Sequence, residues 1–434
     1  MNYKKLITSA LLAMALQAYA QETLYLGGDI SLLPTYEEHG ANYMDKDGQK
    51  ITDLLSFLKE QGMNTMRVRL FVDPNNATQS EKGQGVRQDL DYVKALGKRI
   101  KEAGLKLMLD FHYSDTWADP PKQWTPKDWL DLTDEQLYTK IYEYTKDCLQ
   151  QMVQAGATPD FIQTGNEVTY GMLYGKGIII RDVYNASERK TVYDEESNTY
   201  KKCYLNNEAN WPRFIKLLQN AGRACREICP DAKIVIHTER GGQPSVLTAF
   251  YNKINEVDYD IVGLSYYPYF HGNIATLNNS LSQLESQFPG KKIMIVETGC
   301  GYHYKMGDND TGYDLSYEGQ RKFTADLISM LKAHQNVNGL FWWFLEANEY
   351  GLDWNTKRVT DEWHNAGLFD NETGHALPAL YELKNFSEGG TGFSSLPIDN
   401  QSVDDWYTIN GIRSFSNPSK SGVYIRNGLK VAIR

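Results

Sequence analysis

Residues 51–72, ITDLLSFLKEQGMNTMRVRLFV, and residues 90–111, LDYVKALGKRIKEAGLKLMLDF, decide the fold. In the first stretch Ile51, Leu54, Leu55 and Leu58 follow the i, i+3, i+4, i+7 spacing of a one-sided helix, and Gly62 stops it. Thr65–Val72 then reads as a strand. The second stretch repeats the unit: Leu90, Val93, Leu96 and Ile100 line a helix face, Gly104 ends it, and Leu105–Phe111 is strand-like. Working outward, the same alternation holds at Leu24–Gly28, Phe161–Thr164, Lys233–His237, Ile261–Ser265, Lys291–Val296 and Gly339–Phe344. These strand candidates are continuous apolar runs, the pattern of strands buried on both faces. Alternating β and α elements imply a parallel sheet with crossover helices. Eight such units predict an α/β fold, a (β/α)8 TIM barrel with long βα loops. The alternative is a doubly wound open sheet. Against it, Gly27-Gly28-Asp29 after the first strand is no GxGxxG phosphate loop.

The flanks read differently. Met1–Ala20 has a basic start (Lys4, Lys5), an apolar run from Leu6 to Leu16 and the small-x-small Ala18-Tyr19-Ala20, the pattern of a cleaved signal peptide. The run is too short to remain as a membrane span, and no later segment reaches that length. No cysteine follows to carry a lipid. An exported protein is expected, whether periplasmic, cell-surface or extracellular. Residues 21–388 are assigned to the barrel and 389–434 to a linker, Gly389-Gly390-Thr391-Gly392, with a short C-terminal β tail. Trp406–Ile409, Gly422–Arg426 and Leu429–Ile433 are its strand candidates. The polar stretch Gly171–Asn210 interrupts the rhythm after strand four, either shaping a cleft or forming a flap.

Composition narrows the partner. The 434 residues carry 45 Lys+Arg against 55 Asp+Glu, a formal charge of −10, which argues against nucleic acid or an anionic membrane surface. A neutral polymer or small molecule fits better, and 29 Tyr with 9 Trp offer flat apolar faces, as well as core material. The five cysteines (Cys148, Cys203, Cys225, Cys229, Cys300) have no metal-type CxxC spacing and read mostly as buried small hydrophobes. Cys225 and Cys229 lie one helical turn apart, so a bridge in an oxidising compartment stays open.

In such a barrel the C-terminal strand ends carry the chemistry. They supply Arg69, His112, Asn166-Glu167, His237, Tyr266-Tyr267, Glu297 and Trp342-Trp343. Glu167 and Glu297, on strands four and seven, face each other across the mouth. Glycoside hydrolysis asks for such a pair, one protonated acid and one ionised nucleophile. Arg69 is expected to hold Glu297 ionised, an aromatic, poorly solvated setting to raise Glu167, and Asn166 to donate to a sugar 2-hydroxyl. His112 and His237 read as supporting or packing histidines rather than catalysts. No Ser-His-Asp order or HExxH motif is present.

GGDISLLPTYEEHG (27–40), NTMRVRLFVDP (64–74), DFHYSDTWADPPKQW (110–124), FIQTGNEVTYGMLYGKG (161–177), LSYYPYFHG (264–272), VETG (296–299) and NAGLFD (365–370) together resemble glycoside hydrolase family 53. The resemblance runs from about Leu24 to Phe386, and the SDTWADP segment is its most specific part. It implies a retaining arabinogalactan endo-β-1,4-galactanase acting on pectin side chains, with Glu167 as proton donor and Glu297 as nucleophile. Asp115, Thr116, Trp117 and Ala118 would line sugar subsites, Asp115 bonding hydroxyls. His237, Ser265, Tyr267, Tyr302 and Trp343 would contact substrate. Trp363 would stack on a more distant galactosyl unit or, like Trp354, pin a loop. Some members bind calcium, for which Asp308 and Asp310 offer oxygens here. No cofactor is required for catalysis, galactan is the expected partner, and a monomer is expected. Two other readings remain: a related barrel hydrolase on mannan or glucan, and a non-catalytic glycan binder, which has no need of the Glu pair.

Overall fold

The computed structural model describes residues 23–120, 122–174, 204–353, 355–360 and 362–388, with the backbone of four tail strands. The signal segment 1–20, Cys203, Trp354, the linker 389–392 and most of the 171–210 insertion lie outside the described residues. Eight strands close in chain order: β1 (Tyr25–Asp29), β2 (Thr65–Leu70), β3 (Lys106–Phe111), β4 (Phe161–Thr164), β5 (Lys233–Thr238), β6 (Ile261–Tyr266), β7 (Lys292–Thr298) and β8 (Val337–Trp342). Every neighbouring pair is parallel, and β8 pairs back onto β1. Helices α1 (Leu54–Glu60), α2 (Leu90–Glu102), α3 (Asp134–Gln154), α4 (Trp211–Ile228), α5 (Pro244–Lys253), α6 (Ile274–Gln287), α7 (Tyr317–Leu331) and α8 (Pro378–Leu383) follow the strands in turn. This is the (β/α)8 barrel that the sequence predicts.

Most strand boundaries shift by one or two residues from expectation, and two element ends have plain local reasons. Helix α1 starts at Leu54, because the Asp53 carboxylate caps it by accepting the Leu55 N–H at 3.1 Å, and Ile51 stays in the preceding loop. Strand β8 ends at Trp342, because Phe344 turns left-handed at φ 49° and takes the chain out of the sheet. Beyond Gly390 a second compact unit holds a four-stranded antiparallel sheet. Its strands are β9 (Trp406–Thr408), β10 (Arg413–Ser414), β11 (Gly422–Arg426) and β12 (Leu429–Ile433). The two-residue β10 has no apolar pattern to announce it.

Period-two alternation explains what fills the barrel. Its lower interior is a separate apolar cluster of Met108, Phe161, Val235, Ile261, Met294, Val296 and Phe341, with Tyr25 packed edge-on against Phe161. Two residues further along the strands the same face turns polar: Met108 is followed by Asp110, Phe161 by Gln163 and Val235 by His237, all fully buried. The opposite faces, including Leu107, Leu109, Ile162, Ile234 and Ile236, join the main core with Leu96, Ile100, Leu149 and Leu217 of the helices. Each such side chain contributes ~1.5–3 kcal/mol by leaving water. That apolar burial is what lets the barrel carry a charged layer at its mouth.

Near the mouth, strand β7 breaks the alternation. Leu264 of β6 pairs with Ile295, but Ser265 pairs with Glu297, so β7 carries an extra residue at a bulge. Val296 stays in the apolar interior cluster, while Glu297 is turned toward Ser265 at the rim. Cys148, Cys225, Cys229 and Cys300 are free and buried. Among the described residues no helix is long and apolar enough to cross a membrane.

Candidate active site

The loop after β4 makes a sharp turn. Gly165 sits at φ 106° and Glu167 at φ 48°, a left-handed conformation that costs a residue with a Cβ about 1–3 kcal/mol. The turn is held against β5: the Glu167 N–H donates to His237 Nδ1 at 3.3 Å and the Val168 N–H to the His237 carbonyl at 2.9 Å. It aims the Glu167 carboxyl across the mouth, where Ser265 Oγ lies 2.7 Å from Glu167 Oε1 and 3.3 Å from Glu297 Oε2. One hydroxyl thus touches both acids. One oxygen of Glu167, one oxygen of Glu297 and a ring nitrogen of His237 fall within 4.8 Å of one another. That is close to the roughly 5–5.5 Å of a retaining glycosidase and well short of the gap an inverting enzyme needs.

The two carboxyls sit in unequal company. Arg67 Nη2 is 2.9 Å from Glu297 Oε1, and the Tyr267 hydroxyl donates to Glu297 Oε2 at 3.0 Å. Among the described residues no cation pairs with Glu167, which stays partly open to solvent. Burial raises its pKa well above the ordinary carboxyl value, and the charges of Glu297 and Glu239 add to that. Burial also raises Glu297, to about 7, and Arg67 and the Tyr267 hydrogen bond oppose that rise, an opposition Glu167 lacks apart from its Ser265 hydrogen bond. The shared proton therefore belongs on Glu167, with Glu297 ionised.

Arg67 is the hub beneath. Its guanidinium donates to Asp29 Oδ2 at 3.0 Å, Asp110 Oδ2 at 2.7 Å, Asn166 Oδ1 at 2.9 Å and Gln163 Oε1 at 2.8 Å. Although burial opposes ionisation of Asp110, Arg67 and His112 hold its pKa at about 2. His237 is buried, and burial together with the Arg67 charge keeps it neutral, well below the usual histidine pKa. Three atoms crowd its Nδ1: the Glu167 N–H, Gln163 Nε2 and Asn166 Oδ1. Two of the three are donors, so the ring proton is assigned to Nε2, which donates to Ser265 Oγ at 2.8 Å.

Arg69 does not take the role expected of it. Both arginines point inward, two residues apart on β2, but Arg69 sits one step higher. There it donates to Asp29 Oδ1 at 2.8 Å and lies under Trp117, Phe344 and Trp343, with its guanidinium carbon 4.7, 5.1 and 5.4 Å from their ring centres. Arg67, one step deeper, reaches up the barrel axis to Glu297 instead. Asp115 also departs from expectation. It is buried, and its oxygens accept from the Asp73 N–H (3.1 Å), the Lys127 N–H (2.9 Å) and Asn76 Nδ2 (3.0 Å), so it braces its loop rather than facing a sugar. Thr116 and Ala118 are buried beside it. The Ala118 carbonyl accepts from Asn166 Nδ2 at 3.0 Å, and its N–H donates to His112 Nδ1 at 3.1 Å, leaving His112 Nε2 to face Asp110 at 3.1 Å. His112 thus joins the Ala118 amide to Asp110.

Tyr267, Trp343 and Trp363 do gather: Trp363 lies 5.1 Å from Tyr267 and 6.3 Å from Trp343, forming a wall beside Glu297, and Trp117 meets Trp343 at 6.1 Å. Tyr302 is buried against Tyr317, its hydroxyl accepting from Asn371 Nδ2 at 2.8 Å. Asp308 and Asp310 are exposed, and Asp310 accepts the Gly312 N–H at 2.9 Å. Among the described residues they do not converge with a third acid into a calcium site; such ligands cluster at Glu167, His237 and Glu297. The residues that sequence reasoning missed are Asp29, Arg67, Asp110 and Gln163. Their signal was present: a charge or amide on the inward parity of an otherwise apolar strand.

The comparisons with known proteins agree with this geometry. Residues 25–383 match the family model described as glycosyl hydrolase family 53. The chain is 28% identical over 406 residues to the endo-beta-1,4-galactanase of Bacillus subtilis, covering 84% of this chain and 86% of that protein. It is 29% identical over 410 residues to the arabinogalactan endo-beta-1,4-galactanase of Cellvibrio japonicus, covering 88% and 97%. The solved catalytic domain of the same family from Ignisphaera aggregans superposes with a TM-score of 0.69 at 30% identity, covering 84% of this chain and 96% of that one. An acid pair on strands four and seven of a closed barrel, within a match of this extent, leads to one assignment: the chain belongs to glycosyl hydrolase family 53.

Proposed function

We propose that this chain cleaves β-1,4-galactosidic bonds within galactan chains of arabinogalactan, with retention of configuration. Glu297 attacks the anomeric carbon while Glu167 protonates the departing glycosidic oxygen, giving a glycosyl–enzyme ester on Glu297. Glu167, now a carboxylate, takes a proton from a water whose oxygen bonds to the anomeric carbon; the bond from that carbon to Glu297 breaks, the sugar leaves with its configuration retained, Glu297 is again a carboxylate and Glu167 is again protonated. Arg67 and Tyr267 hold the nucleophile charged, and Tyr267, Trp343 and Trp363 supply the wall for sugar C–H faces. Ser265, His237 and Asn166 orient the two acids and the sugar hydroxyls near them. The observation that carries the reading is one Ser265 hydroxyl within 3.3 Å of two carboxyls of unequal surroundings. The galactanase names of the relatives support the choice of polymer. The composition of residues 1–20 supports export, to the periplasm, cell surface or medium.

Reducing-sugar release from galactan, run beside mannan and cellulose, tests the substrate. Glu167→Gln and Glu297→Gln should each lose galactan turnover by about 10²-fold or more. Near-normal turnover in either, or preference for another glycan, overturns the assignment. Proton NMR of the first products should show the β-anomer.

A further inference from the structure

We propose that Glu239 is a positioning residue for the general acid: through Thr169 it clamps the left-handed turn that carries Glu167. The inference rests on Glu167 being that acid. Glu239 follows the end of β5 and is buried, yet it belongs neither to the Arg67 hub nor to the packing core. Its carboxyl bonds the Thr169 hydroxyl, two residues beyond Glu167. Direction follows from a second contact: the Glu239 N–H donates to Thr169 Oγ1 at 3.4 Å, so the hydroxyl proton is free to point at the carboxylate. Arg240 Nε lies 2.9 Å from the other Glu239 oxygen, and its guanidinium covers the Tyr170 ring at 5.0 Å, extending the tie one residue along the same turn.

The turn after β4 is therefore zipped to β5 at three successive residues: Glu167 N to the His237 ring, Val168 N to the His237 carbonyl, and Thr169 Oγ1 to Glu239. A non-glycine residue rarely holds positive φ without such support. Residue 167 sits at 48°, so releasing the last tie lets the turn relax and swings the acid away from the leaving oxygen. Burial raises Glu239 itself to about 7, and where it is ionised its charge adds to the field that keeps Glu167 protonated.

Leaving-group dependence tests this. A sugar alkoxide needs a proton to depart, whereas a dinitrophenolate does not. A clamp on the acid therefore affects kcat/KM for galactan and spares kcat/KM for dinitrophenyl β-galactobioside. Glu239→Ala and Thr169→Val should lower the galactan value about ten-fold or more, within the span that acid catalysis supplies, and change the aryl value less than about three-fold. Glu239→Gln, which keeps an acceptor for Thr169, should recover most of the loss. Equal losses on both substrates, or no loss on galactan, overturn the proposal. Thr169→Val, which only exchanges a hydroxyl for a methyl, carries the test if Glu239→Ala does not fold. Glu167→Ala is the reference: it should show the same split in stronger form. If that variant instead lowers both substrates alike, the acid assignment falls and the clamp with it. A split for Glu167→Ala alone defeats only the clamp.

Discussion

Tyr267→Phe isolates the polar half of the nucleophile's support. The ring is stacked on Tyr269 at 5.6 Å and meets Trp363 at 5.1 Å, so phenylalanine keeps the packing and removes one hydroxyl. That hydroxyl donates to Glu297 Oε2 at 3.0 Å. The other hydroxyl near this oxygen, Ser265, stands at 3.3 Å, and its single proton points to Glu167 Oε1 at 2.7 Å. No replacement donor is at hand among the described residues. A hydrogen bond to a charged group is worth ~1.5–3 kcal/mol, and ~1.4 kcal/mol moves a pKa by one unit. The loss disfavours the carboxylate, so the Glu297 pKa rises by about one to two units. The nucleophile must be ionised, and the acidic limb of kcat/KM on galactan should therefore move to higher pH by that amount. The deficit should be greatest at acidic pH and shrink as pH rises toward the opposite limb. Circular dichroism melts confirm that the variant is folded. A limb that stays in place or moves down, or a loss equal at every pH, refutes the argument.

Arg67→Lys replaces a five-donor fork with three donors on one nitrogen and cannot serve Asp29, Asp110, Glu297, Asn166 and Gln163 together. Unfolding free energy should fall by ~3–5 kcal/mol in a urea titration, the scale for breaking a buried charge network, and unchanged stability would falsify the hub. Glu346 is buried with one oxygen accepting the Leu32 N–H at 2.7 Å, and burial, then the charge of Asp29, raise its pKa to about 8. Because the folded pKa lies above the unfolded one, the stability it contributes is present at acidic pH and declines as pH rises toward 8. Glu346→Gln keeps the acceptor and cannot ionise, so its melting temperature should fall less than the parent's between about pH 5 and pH 8. Parallel curves count against a buried neutral acid. Trp363→Ala should raise KM for galactan about five-fold with a smaller change in kcat, matching ~1 kcal/mol of aromatic contact, and an unchanged KM makes Trp363 a loop pin.

Much of the site was legible because its residues sit at strand ends, where the barrel forces them together. Glu167, Glu297, His237, Tyr267 and Trp343 needed only the strand count to be placed on one rim, whereas Ser265 came from the family resemblance. The misreadings share a cause. Arg67 and Arg69 have the same parity and chemistry, and which one meets Glu297 depends on depth in the barrel, a coordinate that alternation along a strand does not contain. Asp115 looked free to bond a sugar because the amides that claim it are distant in sequence, Asp73 on the loop after β2 and Lys127 twelve residues further along its own loop. Tyr302 is near Glu297 in sequence, but its loop turns the ring toward Tyr317.

Local sequence alone determined the barrel: helix and strand periodicities are short-range properties, and eight alternating units buried on both faces leave few other ways to close a parallel sheet. It also determined which two acids stand opposite each other. Tertiary structure decided how they differ. The bulge that turns Glu297 toward the mouth, the arginine that keeps it charged and the serine that joins it to Glu167 are long-range contacts. Their outcome depends on packing heights and hydrogen-bond competition between strands, which no single segment encodes.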